Sequence, residues 1–548
     1  MAKIYTEEQL NQMSSEELAK VTLSLQEQLA AMNENYKNLN HTMQLMMEQL
    51  ADAKRHRFGR STEKLEDIEG QISFFETEDG IAFFNEAEAV SDIERDDTDD
   101  EPAPNRGKKR KGKREEDLKD LPVDVVPHEM TEEELHDVFG DEEYKRLPDE
   151  IQREYYFKPA EVGITEHHIA VYAGKESEMM VKADHPKKLI RNSLVSTSLA
   201  AAIINAKYVN AAPLYRQETE LNNNGVAVTR KNMADWIIKI SQKYLYPLYL
   251  LYKHKLLEHH VIQADETPVL VNKDGRPAGS KNYMWVYRTG VMDISNPVVL
   301  YEYHKTRKAD HPREFLKDFS GICTTDGYQV YHSLEDEIED LTIAGCYAHA
   351  RRKYDEAIKA LPKNKRKGAY AYTALKLIQA IYNADNALKD LSTDERQKQR
   401  LETVKPLVDA YFDWIKVTKD KVFKGSKTDK AMQYSLNQEK YLRVFLSDGE
   451  VPLDNNGAER SIRGFCVGKK NWMFCDTVSG AEASAVVYSI VETAKANKLR
   501  PYYYLDYILR VMADHQDDKD DLYLEDLLPW SDTLPEKCHK VVKKQLKK

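Results

Sequence analysis

Three acidic positions are able to support metal-assisted phosphate chemistry if the chain folds them together. Asp265 ends the apolar run Val261-Ile262-Gln263-Ala264, and Asp326 follows Gly321-Ile322-Cys323-Thr324-Thr325. Both stretches read as strands, and a carboxylate in one strand and another at the end of an adjacent central strand would face each other. A third acid has to come from a later helix, and Leu453-Asp454-Asn455-Asn456-Gly457-Ala458-Glu459-Arg460-Ser461-Ile462-Arg463 fits. Asp454 or Asn455 can cap that helix, and Asn456, Glu459, Arg460 and Arg463 share one face at i, i+3, i+4, i+7 spacing. Three carboxylates without His or Cys are hard oxygen ligands, suited to Mg²⁺ or Mn²⁺. Two such ions about 4 Å apart activate a water or a 3′-hydroxyl and stabilise the leaving oxygen of an in-line phosphodiester displacement. Each acid alone says little, because the chain has 92 Asp and Glu residues and most acids lie on a surface. Glu266 shows the ambiguity: strand alternation points it away from Asp265.

The elements that must hold these acids come in a telling order. Residues 261–265 with 269–271, 283–287 and 297–303 are strand candidates, a helical stretch at 312–319 precedes the run ending at Asp326, and 341–345 is another short apolar run. Three strands, a helix, then strands alternating with helices is the order of an α/β, ribonuclease-H-like mixed sheet. Between Asp326 and Glu459 the pattern over 354–441 is helical, with Leu375, Ile378, Ile381 and Leu388 at helical spacings. That predicts a helical insertion at about 350–450 inside a catalytic domain spanning 260–510, followed by a tail at 511–548. His349, Arg351, Arg352 and Lys353 open the insertion next to the site, suited to a DNA backbone or to a plain basic helix start. Cys346 and His349 have Cys-x-x-His spacing but no second pair nearby, so a packed thiol and a DNA-facing or structural His are expected rather than zinc.

Upstream, Leu18, Leu25, Met32, Leu39 and Met46 recur every seven residues, as do Leu29, Tyr36, Met43 and Leu50; only Thr22 breaks the second series. Such a run predicts a coiled-coil oligomerisation helix within 1–55. Residues 56–120 read as a linker, acidic from 91 to 105 and basic from 106 to 114, where Lys109, Arg110 and Lys111 are placed to track DNA through phosphate contacts. Residues 121–190 mix short β-rich runs with acidic turns. The segment 191–259 reads as helices at 193–206 and 213–221, the turn Asn222-Asn223-Asn224-Gly225, and a third helix at 230–240 capped by Thr229. This is a helix-turn-helix outline, with Arg230 and Lys231 at the N-terminal end where base contacts come.

Composition bounds the class. At 548 residues the chain predicts three or four structural units. Five cysteines, all beyond residue 320 and odd in number, exclude a secreted disulfide framework. No stretch approaches a membrane span, and MAKIYTEEQL lacks the apolar core of a secretory signal, so a cytoplasmic protein is expected. The net charge of -12 argues against a uniformly basic DNA-coating protein, yet local basic patches still bind phosphates.

The motifs RFGRSTEKL, PLYRQE, ADETPV around Asp265, HPREFLKDFSG and TTDGYQVY around Asp326, GCYAHARRKY, NNGAERSIR around Glu459, KKNWMFCDTVSGAEASA and LLPW occur in this order. Through them the chain resembles the DDE transposases of the insertion sequence 66 family over nearly its whole length. The resemblance implies a metal-binding triad of Asp265, Asp326 and Glu459, with two Mg²⁺ or Mn²⁺ per active site. It further implies binding to terminal inverted repeats and target DNA, a homodimer or higher oligomer, accessory proteins from the same element, no membrane, and the nucleoid of a prokaryotic cytoplasm. One departure matters: the family usually carries a cysteine-rich zinc-binding segment, whereas 121–190 has no cysteine. It reads as a degenerate zinc-finger-like segment, and no structural zinc is expected. A structure-specific nuclease of the same fold and a catalytically dead dimeric DNA-binding regulator are the competing readings; the presence of all three acids weighs against the latter.

Overall fold

The computed structural model describes residues 186–540 except 278 and 519, together with 162–168, 171–173, 180–182 and the positions 14, 22, 23 and 26. The heptad run, the linker with Lys109, Arg110 and Lys111, and most of 121–190 lie outside the described residues. Within the last, β1 (Val171–Ala173) and β2 (Met180–Lys182) pair antiparallel.

Side-chain caps set the helix boundaries of the next segment. The Ser196 hydroxyl accepts from the Leu199 amide at 3.1 Å and starts α1 (Thr197–Tyr208), later than the apolar pattern places it. Pro213, with its fixed φ, precedes α2 (Leu214–Asn223). A reciprocal capping box between Thr229 and Asn232 opens α3 (Arg230–Ile240). A π-helical turn, Ser241–Leu245, runs into α4 (Tyr246–Leu257).

The sheet follows: β3 (Val261–Lys273), β4 (Lys281–Thr289), β5 (Val299–His304), α5 (Asp310–Leu316), β6 (Gly321–Thr324), α6 (Gln329–Glu337) and β7 (Leu341–Ala344). The strand order is β5-β4-β3-β6-β7, with β4 antiparallel to β3 and β5, and β6 parallel to β3 and β7. This is the α/β ribonuclease-H-like arrangement that the order of apolar runs predicts. The two runs flanking Glu266 are one strand, because β4 pairs with it without a break from Ile262 to Leu270.

The insertion then begins. α7 (Tyr347–Lys359) is followed by α8 (Tyr370–Asn386), α9 (Thr393–Gln399), α10 (Lys405–Thr418), α11 (Lys427–Asn437) and α12 (Glu439–Leu442). It buries its own apolar set, including Tyr354, Ile378, Ile381, Tyr411, Phe412 and Met432. The buried Arg400 ties it off, donating to Asp385 at 2.7 Å and to the carbonyls of Phe445, Asp448 and Val451 at 2.8, 2.7 and 2.9 Å.

The chain returns to the sheet with α13 (Asn456–Trp472), β8 (Cys475–Thr477), α14 (Val478–Ala496) and α15 (Pro501–Asp514). β8 extends the far end of β3, pairing at Val271↔Cys475 and Lys273↔Thr477. α14 crosses β5, which among the described residues has no strand on its other side. Ser489 and Thr493 satisfy backbone amides of that edge, accepting from Tyr301 at 2.8 Å and Val299 at 3.0 Å. α1 packs on α15, where Thr197 donates to Asp506 at 2.8 Å. α1, α3, α4, the sheet, α14, α15 and Leu524, Leu527, Leu528 and Leu534 share one continuous apolar core.

Candidate active site

Register brings the two aspartates together. β3 and β6 pair in parallel at Ile262↔Cys323 and Gln263↔Thr324, and Asp265 and Asp326 each follow two residues beyond that last pair, Asp265 still in β3 and Asp326 just past the end of β6. Asp265 accepts from the Glu266 amide at 2.8 Å. Burial, then the charges of Glu266, Asp326 and Glu459, push its carboxyl well above the usual carboxylate range. Asp326 leaves the sheet in a tight turn, accepting from the Tyr328 amide at 2.9 Å, while its carbonyl accepts from Tyr434 of α11 at 3.0 Å. Gly327 has φ +86°, and a Cβ there would lie 2.8 Å from the Tyr434 hydroxyl, so the turn requires glycine on both counts.

Glu459 arrives on α13, whose first turn is seated on β3. Gln263 Nε2 donates to the Asp454 carbonyl at 3.1 Å, and Asn455 Nδ2 to the Ala264 carbonyl at 2.8 Å. A Cβ at Gly457 would stand 2.0 Å from Gln263 Oε1, so only glycine permits this approach. The N-cap position falls on Asn455, whose side chain is committed to β3 instead of capping, and Asp454, one residue earlier, accepts from the first helical amide, Asn456, at 3.0 Å. The Glu459 carboxylate accepts from Arg352 Nη2 at 3.1 and 3.2 Å, with His349 Nε2 3.7 Å away. Burial holds the His349 imidazole below its usual range, against the opposing pull of Glu459. Among the described residues no three His, Cys, Asp or Glu side chains converge to metal-ligand distance. Asp265 feels the charges of Asp326 and Glu459, while Glu459 itself is engaged by Arg352 of α7.

The other residues singled out by sequence fall into two groups. Arg460 and Arg463 are exposed on α13, and Arg352 and Lys353 on α7, with Lys353 over the Tyr434 ring at 4.6 Å; Arg351 is half-buried. Arg230 and Lys231 are exposed in the first turn of α3, a separate element, Arg230 lying 5.7 Å from the Tyr215 ring centroid. Cys346 is a buried thiol whose Sγ accepts from the Asn455 amide at 3.1 Å, which ties α7 to the start of α13.

Sequence reasoning missed Arg307. Glu266 does point away from Asp265, but into a buried ion pair: its side chain is 1% exposed, and Arg307 donates to it through Nε at 2.6 Å and through Nη2. Tyr331 donates to its other oxygen at 3.3 Å. The Arg307 guanidinium also lies 3.7 Å from the Tyr328 ring centroid, and Tyr328 donates to the Arg307 carbonyl at 3.0 Å. Arg307 thus links the strand of Asp265 to the turn of Asp326. The available signal was a second acid inside a buried strand, which demands a cation from somewhere. Arg307→Ala is expected to destabilise the protein by about 2 kcal/mol, less than a fully buried pair because Arg307 is partly exposed. Adding Glu266→Gln should recover part of the loss in urea unfolding; no loss in the single variant would refute the linking role.

The Transposase IS66 family profile matches residues 192–483, Transposase C of IS166 homeodomain matches 45–126, and the IS66 C-terminal element matches 489–530. Three proteins of Sinorhizobium fredii are similar. Uncharacterized protein y4qI is 30% identical over 371 residues, covering 66% of this chain and 67% of its own length. Uncharacterized protein y4hP is 26% identical over 65% of this chain and 66% of its own. Uncharacterized protein y4jD is 27% identical over 64% and 69%. The matched stretch thus spans about two thirds of each relative. No described helix is long and apolar enough to cross a membrane. The family implies DNA as partner and a divalent cation in the chemistry. With its mixed sheet, acid-bearing strands and family match across more than half its length, the chain belongs to the IS66 family of DDE transposases.

Proposed function

We propose that the protein binds the terminal inverted repeats of its insertion sequence, cleaves the DNA ends and transfers the strands to target DNA. Asp265, Asp326 and Glu459 would hold two divalent cations, Mg²⁺ or Mn²⁺. The observation that carries this reading is the crowding at Asp265, a carboxyl raised first by burial and then by the charges of Glu266, Asp326 and Glu459. Of these, Glu266 has its own cation in Arg307, while Asp265, Asp326 and Glu459 supply only oxygen donors, the chemistry a hard cation takes, and would close on it once Glu459 leaves Arg352. When bound, such ions activate the attacking oxygen and neutralise charge on the leaving one.

The chain's own residues have distinct tasks in this scheme. Asp265 and Asp326 are oriented by backbone amides and cannot swing far. Glu459 has a choice of partner: a DNA phosphate arriving at Arg352 would compete for the guanidinium and release the carboxylate towards the aspartates. His349, Arg351, Arg352 and Lys353 on α7, with Arg460 and Arg463 on α13, hold the DNA backbone. Arg230 and Lys231 meet DNA from α3, and Lys109, Arg110 and Lys111 add sequence-independent attraction. Residues 1–55 oligomerise the chain, since two element ends must be processed in concert. Accessory proteins of the element and a nucleoid location complete the reading. No structural zinc is assigned, as 121–190 lacks thiols and Cys346 is spent on the Asn455 amide.

Two tests belong here. Arg460→Ala and Arg463→Ala should each flatten the dependence of log K on log salt by about one unit. An unchanged slope would mean that they only balance the neighbouring acids. Deleting residues 18–50 should convert an oligomer to a monomer in sedimentation; an unaltered mass rejects that segment as the oligomerisation element.

A further inference from the structure

The helix that carries Glu459 ends in an exposed apolar tip that the proposed chemistry does not use. Along α13 the exposed positions are Arg460, Arg463, Gly464, Lys470 and Asn471. Gly464 lies in the helix interior, where glycine weakens a helix, yet a Cβ there would meet nothing nearer than Glu492 Oε1 at 3.8 Å. Among the described residues no packing requires it, and its bare surface suits the close approach of a phosphate backbone.

The end of the helix is firmly anchored. The Trp472 ring stands edge-on to Tyr208, 6.3 Å between centroids, with Lys207 over its face at 5.4 Å. Asn471 Nδ2 donates at 2.8 Å to the carbonyl of Ala211, in the loop leading to α2. Met473 then takes φ 65° and ψ -41°, and the Phe474 amide reaches back to the Trp472 carbonyl at 2.8 Å. This is a γ-turn with positive φ, a strained conformation for a residue with a side chain, and such strain concentrates at functional sites. It leaves Met473 70% and Phe474 46% exposed; Leu270, 43% exposed, precedes Val271, the β3 partner of Cys475.

We propose that Met473 and Phe474 pack on an unstacked base of the bound DNA end, about six base pairs from the scissile phosphate. This inference rests on the transposase reading. Its distance follows from the helix: the 14 residues from Glu459 to Met473 rise ~21 Å, which matches about six steps of ~3.4 Å in a duplex lying along the exposed face. A nucleic acid suits the tip better than a second copy of this chain. The apolar pair ends a row of cations (Arg460, Arg463, Lys470), and DNA offers phosphates to the row and base faces to the tip. Two copies meeting there would bring like charges together.

The test uses the full chain and duplexes of the DNA flanking its gene, each carrying one 2-aminopurine near the cut, whose fluorescence rises on unstacking. A rise is expected around the sixth position. Phe474→Ala, and Met473→Gly, which also relieves the turn, should each abolish it and weaken binding about tenfold, the size of one lost base stack. Phe474→Trp should preserve both. No rise at any position, or a rise that persists in Phe474→Ala, overturns the proposal. So does a changed sedimentation mass in Met473→Gly with unaltered DNA binding, which would make the tip a contact between copies. Cleavage at full rate without any fluorescence rise sinks the tip alone, whereas a wild-type chain that neither binds nor cuts these duplexes removes the transposase reading with it.

Discussion

Asp326→Asn is expected to lower cleavage of element ends in Mg²⁺ by about a thousandfold or more while DNA binding stays close to wild type. The amide removes one negative oxygen from a donor set that has no spare carboxylate, since Glu266 is committed to Arg307. It leaves the turn intact, because the amide oxygen still accepts from the Tyr328 amide as the Asp326 carboxylate does at 2.9 Å. Asp265→Asn and Glu459→Gln should behave alike, and combining them should cost little more than any one, as expected of groups acting as a unit. Gel-resolved cleavage of end-labelled DNA, alongside anisotropy for binding, reads both quantities. Any of the three variants cutting at the wild-type rate removes that residue from the site.

Arg400→Ala should be the most damaging change outside the site, destabilising the insertion by about 3–5 kcal/mol. The side chain is fully buried, and Asp385, 6% exposed, would be left as an uncompensated buried charge. The carbonyls of Phe445, Asp448 and Val451 would also lose their donor, just ahead of Asp454, which accepts from the first amide of α13. The damage should therefore reach Glu459: proteolysis within 347–453 should accelerate, and cleavage should fall with it. Replacing both partners by apolar residues, Arg400→Met with Asp385→Leu, should restore much of the stability. A single variant as stable as wild type would show that the insertion does not depend on this strut.

What could be read from sequence divides by range. Strand runs, the helices on either side of the Asn222–Gly225 turn and the two acids that follow apolar runs were legible, because apolar runs and capping residues act locally. The Thr229 cap is one such signal, and the acid after each of two apolar runs is another. The uninterrupted β3 was not legible: Glu266 and Pro268 look like a break, and only pairing with β4 carries the strand through them. Nor was Arg307, which lies far along the chain from Glu266 and meets it because β5 returns antiparallel beside β4. The commitment of Glu459 to Arg352 was equally hidden. Sequence places His349 and Arg352 near the site, but only the seating of α13 on β3, through Gly457 and Asn455, decides that the glutamate faces α7.

Asp265, Asp326 and Glu459 are proposed to form one cation site. Electron paramagnetic resonance of Mn²⁺ titrated into the DNA-bound protein tests it most directly. Bound Mn²⁺ is expected in the wild type, with its loss in Asp265→Asn and Asp326→Asn and weaker retention in Glu459→Gln. Mn²⁺ bound equally by the wild type and all three variants would contradict it.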